Sequence, residues 1–259
     1  PVVTNNAAAR AGSMTEAGHA TNGSAVAGVG VASGTLSVTD ADANATRTWS
    51  LQGAASTTYG SMSVNSTTGV WTYTLDNAAT ATQMLDTGDA PTQSYVVRAT
   101  DNFGAYVDQT VVVTVNGTND APVLTLGSAS SAIVETGLAG TPINKSSSVS
   151  ILRQDIDDPA NFVVSDWTAS TSTSIGSINF DRYTRRGNFG VATLYINRSG
   201  SASNENQSFL YYTLDDALPE TQSLASGQSD TDRFYIAVND GEVITTRRAE
   251  FGVTGADDA

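Results

Sequence analysis

The side chains able to do chemistry in this sequence are mostly loop carboxylates, and they come twice. Asp40-Ala41-Asp42 recurs as Asp155-Ile156-Asp157. Glu16, in Thr15-Glu16-Ala17-Gly18, recurs as Glu135 in Val134-Glu135-Thr136-Gly137. Asp101, in Ala99-Thr100-Asp101-Asn102, recurs as Asp240 in Val238-Asn239-Asp240-Gly241. Asn119-Asp120 stands near the middle, and its neighbourhood returns at the end of the sequence with Asp257-Asp258. Such a set suits calcium, a hard cation that takes roughly six to eight oxygens from carboxylates, amide side chains and backbone carbonyls. The competing account is turn chemistry, because loop Asp and Asn commonly accept hydrogen bonds from their own backbone two residues on. Recurrence at matching places, together with the Asn119-Asp120 linker motif, favours metal for Glu16, Asn119, Asp120, Asp155, Asp157 and Asp240, and leaves the remaining repeated acids as half-sites that neighbouring repeats would complete. Asp86, Asp89, Asp230 and Asp232 read as turn formers.

Other chemistry lacks parts. His19 is the single histidine and there is no cysteine, so zinc sites and Cys- or Ser-His-Asp catalysis have almost no material; His19 reads as a solvated loop residue. A glycosidase needs one acid and one base or nucleophile across a cleft, but every carboxylate cluster here falls in a repeated loop. No phosphate-cradling glycine loop or dinucleotide fingerprint stands out. The sequence therefore argues against an enzyme. Asn197-Arg198-Ser199 fits a glycosylation sequon, a match too short to carry weight.

Composition narrows the partners. Asp and Glu number 26 against 12 Lys and Arg, a net charge of −14, so nucleic acid would be repelled. Hydrophobic residues make up 39% of the chain, enough for packed domains rather than disorder. No apolar run approaches the ~18 residues of a membrane span. Without cysteine no disulfide staples the fold, and the lack alone fixes no compartment. The sequence has no signal peptide and opens at Pro1 without Met, which reads as a piece of something larger.

The elements that must position these carboxylates are short strands. Thr35–Thr39, Val70–Thr74, Ser94–Arg98 and Thr110–Val115 are rich in branched and aromatic residues and bounded by Gly, Asn and Asp. Branched β-carbons pack well on a pleated surface. At most one turn of helix is expected, within Asn77–Gln83.

Further landmarks follow the carboxylates in the same order. Trp49 pairs with Trp167 and Tyr73-Thr74-Leu75-Asp76-Asn77 with Tyr212-Thr213-Leu214-Asp215-Asp216; Gln83-Met84-Leu85 pairs with Gln222-Ser223-Leu224. The chain is thus a tandem repeat, residues 1–120 and 121–259. The landmark offset grows from 118 at the Trp pair to 139 at the Tyr pair, so the second copy carries an insertion, placed at about 168–210. Short strands spread over each copy predict an all-β fold of two tandem Ig-like or cadherin-like antiparallel β-sandwiches, the second with the insertion. Trp49 and Trp167 read as core residues.

Glu-x-Gly, Val-x-Asp-x-Asp, a Trp strand, Tyr-Gly, Gly-x-Trp-Thr-Tyr-Thr-Leu-Asp-Asn and a closing Val-Asn-Gly-Thr-Asn-Asp-Ala-Pro together resemble the VCBS-type repeats of large bacterial surface proteins, including RTX adhesins. In the first copy the resemblance runs from Glu16 to Pro122; in the second it is good at both ends and poor from Thr168 to Leu210. It implies a calcium-rigidified repeat of a secreted, type I exported adhesin at the bacterial cell surface, acting in attachment and biofilm formation, with neighbouring repeats of the same polypeptide as its partners.

On a seven-strand A-to-G sandwich the B–C and F–G loops share one pole, and the A–B loop and the exit from strand G share the other. That scheme groups Glu16, Asn119 and Asp120 with Asp155, Asp157 and Asp240 as an inter-domain calcium site, an arrangement similar to that of cadherins. It leaves Asp40, Asp42 and Asp101 at the N-terminal pole, and Glu135, Asp257 and Asp258 at the C-terminal one. The insertion holds Arg182, Tyr183, Arg185 and Arg186, a basic-aromatic group in an acidic chain. It reads either as a hairpin whose arginines pair with nearby acids or as a recognition surface for glycan or peptide. The expectation is a monomeric calcium-stabilised extender, with a ligand-binding second repeat as the alternative.

Overall fold

The computed structural model describes residues 1–20, 22–137, 144–198 and 208–256. The chain forms two compact units, Pro1–Asp120 together with Ile156–Asp158, and Ala121–Asp155 together with Pro159–Ala259. Both are antiparallel β-sandwiches.

In the first unit one sheet runs Ala11–Thr15, Tyr106–Asn116, Thr92–Asp101, Arg47–Gln52, and the other runs Val31–Thr35, Val70–Leu75, Gly60–Val64. Ala11–Thr15 lies parallel to Tyr106–Asn116, and the remaining pairings are antiparallel. Side chains alternate across a strand, so Tyr95, Val97 and Ala99 all point into the core, as do Trp71, Tyr73 and Leu75. Trp49 and Trp71 are fully enclosed, and the indole N–H of Trp71 donates to the Ala9 carbonyl at 2.8 Å. The sequence-predicted strand Thr35–Thr39 is broken in two. Leu36 and Ser37 leave the sheet, with Ser37 N–H held by the Asn5 side chain, while Val38–Thr39 pairs with Val2–Val3. The expected turn of α-helix occupies Thr80–Gln83.

The second unit repeats this plan. One sheet runs Ile133–Val134, Ile244–Thr254, Ser229–Asn239, Asn161–Val163. Its partner runs Val123–Leu126, Ser146–Gln154, Ser208–Leu214, Gly190–Asn197, Ile178–Arg186, Thr168–Ile175. Gly190–Asn197 takes the place that Gly60–Val64 holds in the first unit, since each pairs with the Tyr strand from the same side, Gly60 opposite Leu75 and Gly190 opposite Leu214. The added residues form a hairpin, Thr168–Ile175 with Ile178–Arg186, that widens the sheet beyond this strand.

One landmark shifts. Trp49 sits opposite Ala99, and the matching position in the second unit, opposite Val238, is filled by Phe162. Trp167 lies in the turn that follows, with its N–H on the Val164 carbonyl at 3.0 Å, and enters the core against Phe234 at 6.3 Å. It is a core residue as expected, but not the register equivalent of Trp49. Both cores are otherwise built alike, with Tyr212 stacked on Phe251 at 4.8 Å in the second. A glycine follows an aromatic at Tyr59-Gly60 and Phe189-Gly190 for a steric reason. A Cβ at either would overlap the carbonyl oxygen of the neighbouring strand, Thr74 or Thr213, and crowd the core tyrosine hydroxyl.

Candidate metal sites

The inward row of a strand ends in a carboxylate at several poles. Tyr95, Val97 and Ala99 are followed at the same period by Asp101, which is only 7% exposed. Met14 is followed by Glu16, and Ile133 by Glu135; both glutamates are fully buried. Period-two alternation thus carries the charged group into the mouth of the core instead of out to solvent.

At one pole of the first unit, ligand oxygens of Asp40, Asp42 and Asp101 lie within 4.8 Å of one another, the one such group of three found among the described residues. Asp101 Oδ1 accepts from the N–H groups of Phe103 and Ala105, each at 2.9 Å, which closes the loop around it. Its Oδ2 is buried and has no hydrogen-bond partner. Asp40 Oδ1 accepts from the Asp42 N–H at 3.1 Å, the turn chemistry weighed above. Its Oδ2 meets the Pro1 ammonium at 2.9 Å. Those bonds, with the Asp42 N–H first, hold the Asp40 carboxyl below its ordinary range, and the carboxylates together push the ammonium up. Turn formation uses one oxygen of Asp40 and one of Asp101, so it does not exclude a cation on the others.

A second group in the first unit comprises Glu16, Asn119, Asp120 and Asp157. Glu16 Oε1 accepts from Gln83 Nε2 at 2.8 Å, and Oε2 is buried without a partner. Burial, with the nearby Asp120 charge, pushes the Glu16 carboxyl up to about 7. Asn119 is fully buried and its Nδ2 donates to the Asp120 carbonyl at 3.0 Å. The Asp120 N–H donates to Asp157 Oδ2 at 2.7 Å, and Asp157 Oδ1 is buried with no hydrogen-bond partner. Desolvation followed by repulsion from Asp157 raises the Asp120 carboxyl. Like charges brought together in a partly dry setting disfavour ionisation. A divalent cation would reverse that.

His19 is not a free loop residue. It lies half-buried in the short strand Gly18–His19, and its N–H donates to the Asn119 carbonyl at 2.7 Å, beside this group.

In the second unit, Glu135 repeats the Glu16 arrangement, with Oε1 accepting from Gln222 Nε2 at 2.9 Å. The Gln landmarks of the sequence are therefore the hydrogen-bond partners of the buried Glu landmarks, a role that sequence reading did not assign to them. Asp240 Oδ1 accepts from the N–H groups of Glu242 and Val243 at 2.7 and 2.6 Å, much as Asp101 closes its own loop. Asp155 lies half-buried just after Ser146–Gln154. Asp257 and Asp258 lie outside the described residues.

Of the aspartates read as turn formers, one pair keeps that assignment and one residue loses it. Asp86 and Asp89 do form a turn, with Asp89 N–H on the Asp86 carbonyl at 3.0 Å. Asp232 does not. It stands inside the strand Ser229–Asn239, is 2% exposed, and accepts from Asn188 N–H at 2.7 Å, Phe189 N–H at 3.0 Å and the Tyr212 hydroxyl at 2.6 Å. Its position in the inward row, two residues before Phe234, was the available signal.

The insertion's basic group is engaged locally. The Arg182 guanidinium lies over the Tyr195 ring at 5.3 Å, Arg186 reaches Asp215 at 3.5 Å, and Arg185 reaches Asp166 at 3.7 Å. Tyr183 packs against the core.

No protein-family model matches the chain, and no curated protein matches it in sequence. Among solved structures it is similar to a protocadherin gamma B4 extracellular domain, at 12% identity and a TM-score of 0.40 over 98% of this chain and 32% of that one. It is also similar to the EC1-4 segment of PcdhgB3, at 13% identity and a TM-score of 0.45 over 98% of this chain and 49% of that one. Human protocadherin-24 EC1-2 gives 14% identity and a TM-score of 0.39 over 99% and 100% of the two chains. The chain thus spans a third to a half of the first two of these. The architecture of two β-sandwiches rests on the strand order itself. Among the described residues no helix is long and apolar enough to cross a membrane.

Proposed function

We infer that the chain is a calcium-stiffened spacer module of an extracellular adhesin, holding a binding end away from its anchor. The observation that carries this reading is the Asp40, Asp42 and Asp101 group, three carboxylates within 4.8 Å of one another with a buried, unpartnered oxygen on Asp101. The donor set is all oxygen, mixes carboxylates with nearby backbone, and contains neither nitrogen nor sulfur ligands. That is the chemistry calcium selects over softer metals. Glu16, Asn119, Asp120 and Asp157 form a second set with the same character, to which the sequence match adds Asp155 and Asp240. Glu135 belongs to a third, with Asp257 and Asp258. In this reading calcium turns mutual repulsion between acids into rigidity along the chain. The bacterial cell surface, type I export, the biofilm role and neighbouring repeats as partners rest on the resemblance to VCBS-type repeats.

Calcium titration by calorimetry of the intact chain and of Asp101→Asn tests the assignment. The intact chain should bind at least two ions, and the variant should lose one. Equal stoichiometry in the two proteins, or no heat at all, would remove the first site from the account.

A second reading, a ligand-binding second repeat, is favoured by one observation, a cavity in that unit lined by Trp167, Arg185 and Tyr235.

A further inference from the structure

The turn Val164–Trp167 carries the second unit from the short strand Asn161–Val163 into the added hairpin, and it leaves a cavity of about 200 Å³ on the outer face of the sheet. Trp167 forms part of the wall, Tyr235, Arg185 and Asp166 surround the opening, and Thr246 closes one side. Tyr235 is 53% exposed, so one face of its ring is open to solvent. Arg248 lies directly opposite it on the neighbouring strand, and Arg233 lies opposite Glu250. Arg248 and Arg233 share the single carboxylate of Glu250, at 2.9 and 3.2 Å. Three guanidiniums thus face two carboxylates around one exposed aromatic, on a chain whose net charge is −14. The Arg185–Asp166 contact is loose at 3.7 Å, and Asp166 is mostly exposed. Both ends of this pair can turn to a ligand without leaving a buried charge unmatched.

The same face of the first unit has none of this. The register equivalents of Tyr235 and Arg248 are Val96 and Thr110. Its one arginine, Arg98, is held by both oxygens of Asp108 at 2.7 and 2.8 Å and capped by Tyr106 at 3.7 Å. The cavity is therefore a product of the insertion and of a few strand substitutions rather than of the sandwich itself.

We propose that this cavity binds a single anionic sugar residue, with the pyranose ring laid on Tyr235 and its carboxylate on Arg185. Its volume lies below the ~300–1,000 Å³ of pockets that enclose drug-sized ligands, which suits one sugar ring better than a peptide segment. An exposed tyrosine offers an apolar ring face for sugar C–H groups and a hydroxyl for hydrogen bonding. Guanidinium forks match carboxylates in two-pronged geometry. Asp166 and Thr246 supply acceptor and donor groups for ring hydroxyls. The site uses none of the residues assigned to calcium, so either assignment can fail without the other.

The test follows backbone amide resonances of the full chain during titration with sodium D-glucuronate, with methyl β-D-glucoside as the neutral sugar and N-acetylaspartate amide as the peptide-like anion. Glucuronate should move residues 163–167, 235–237 and 246 together and half-saturate at a concentration about 10-fold or more below either control, a gap that marks simultaneous use of ring and charge. Tyr235→Ala, at an exposed position, and Arg185→Ala, at a half-buried one whose ion pair is loose, should each weaken glucuronate about 10-fold or more with unchanged melting; Tyr235→Phe, which keeps the ring, should lose less. Equal response to the aspartate probe, shifts elsewhere, or glucuronate binding unaffected by the two alanine variants would overturn the proposal.

Discussion

The two sandwiches share their poles and differ on their outer faces. In both units a buried glutamate just beyond the inward row takes a hydrogen bond from a glutamine on a one-turn helix, Gln83 to Glu16 and Gln222 to Glu135. In both an aspartate closes the loop after a long central strand, Asp101 and Asp240. The face between the poles has diverged. The first unit presents Val96, Thr110 and an arginine locked by Asp108; the second presents Tyr235, Arg248 and a hairpin-borne Arg185 around a cavity. The contrast separates two demands on one fold. Pole residues recur because each repeat must manage the same buried carboxylates. The sheet's outer face, which contributes little to the core, is free to acquire a site.

The largest break in the comparison should come from Asp232. Its equivalent by the 139-residue offset is Gln93, a half-buried polar residue, so the clamp belongs to the second unit alone. Asp232→Ala leaves the buried Phe189 N–H, the partly buried Asn188 N–H and the Tyr212 hydroxyl unmatched, and at ~1–3 kcal/mol per buried unpaired group it should destabilise the second unit by about 3 kcal/mol or more. Gln93→Ala should cost less than ~0.5 kcal/mol, as surface changes away from special features usually do. Denaturant unfolding monitored at each unit separates the two outcomes, and similar losses would erase the claimed asymmetry.

The glutamine substitutions sharpen the shared side. Gln83→Ala and Gln222→Ala should each cost about 1.5–3 kcal/mol, the range for a hydrogen bond to a charged group, and by similar amounts. A loss in one unit only would show that the two poles are not equivalent.

The effect of pH is next in size. Without metal, Glu16 is raised from 4.5 to about 7 by burial. Between those values the native state holds a proton that the unfolded state has released, so this group lowers stability as pH rises through the window. In chelator the first unit should therefore gain stability on going from pH 7.5 to pH 5.5. With calcium the trend should reverse, because protons then compete with the ion for the same oxygens. Parallel slopes in the two conditions would argue against Glu16 as a ligand.

Arg98→Ala should have the smallest consequence. The bidentate pair with Asp108 is solvent-exposed, and exposed pairs contribute ~0–1 kcal/mol. A larger loss would mean that the Tyr106 stack organises the first unit's face.

Much of this was legible in the sequence where one physical rule acted alone. Period-two alternation marks Thr92–Asp101 and Tyr106–Asn116, and the paired landmarks mark the repeat. Reading failed where two rules competed. Asp232 follows the turn-rich run Gly227-Gln228-Ser229-Asp230 and looks like part of it, yet the inward alternation that continues through Phe234 and Ile236 already includes it. Trp167 matches Trp49 in type and approximate spacing, but the second unit's strand is shortened to Asn161–Val163. Phe162 then faces Val238, and the tryptophan enters the core from a turn. The cavity could not be read at all, because Tyr235 and Thr246 meet through the pairing of their own strands and Arg185 joins them only through the added hairpin.

Thermal unfolding of the intact chain in calcium and in chelator bears most directly on the proposed poles. A ligand held only by the folded state stabilises it by ~2.7 kcal/mol at one hundred times its Kd. For domains of this size that corresponds to an increase in Tm on the order of 10 °C, and the gain should shrink in a variant carrying Asp40→Asn and Asp101→Asn. Superimposable melting curves in calcium and chelator would contradict the account.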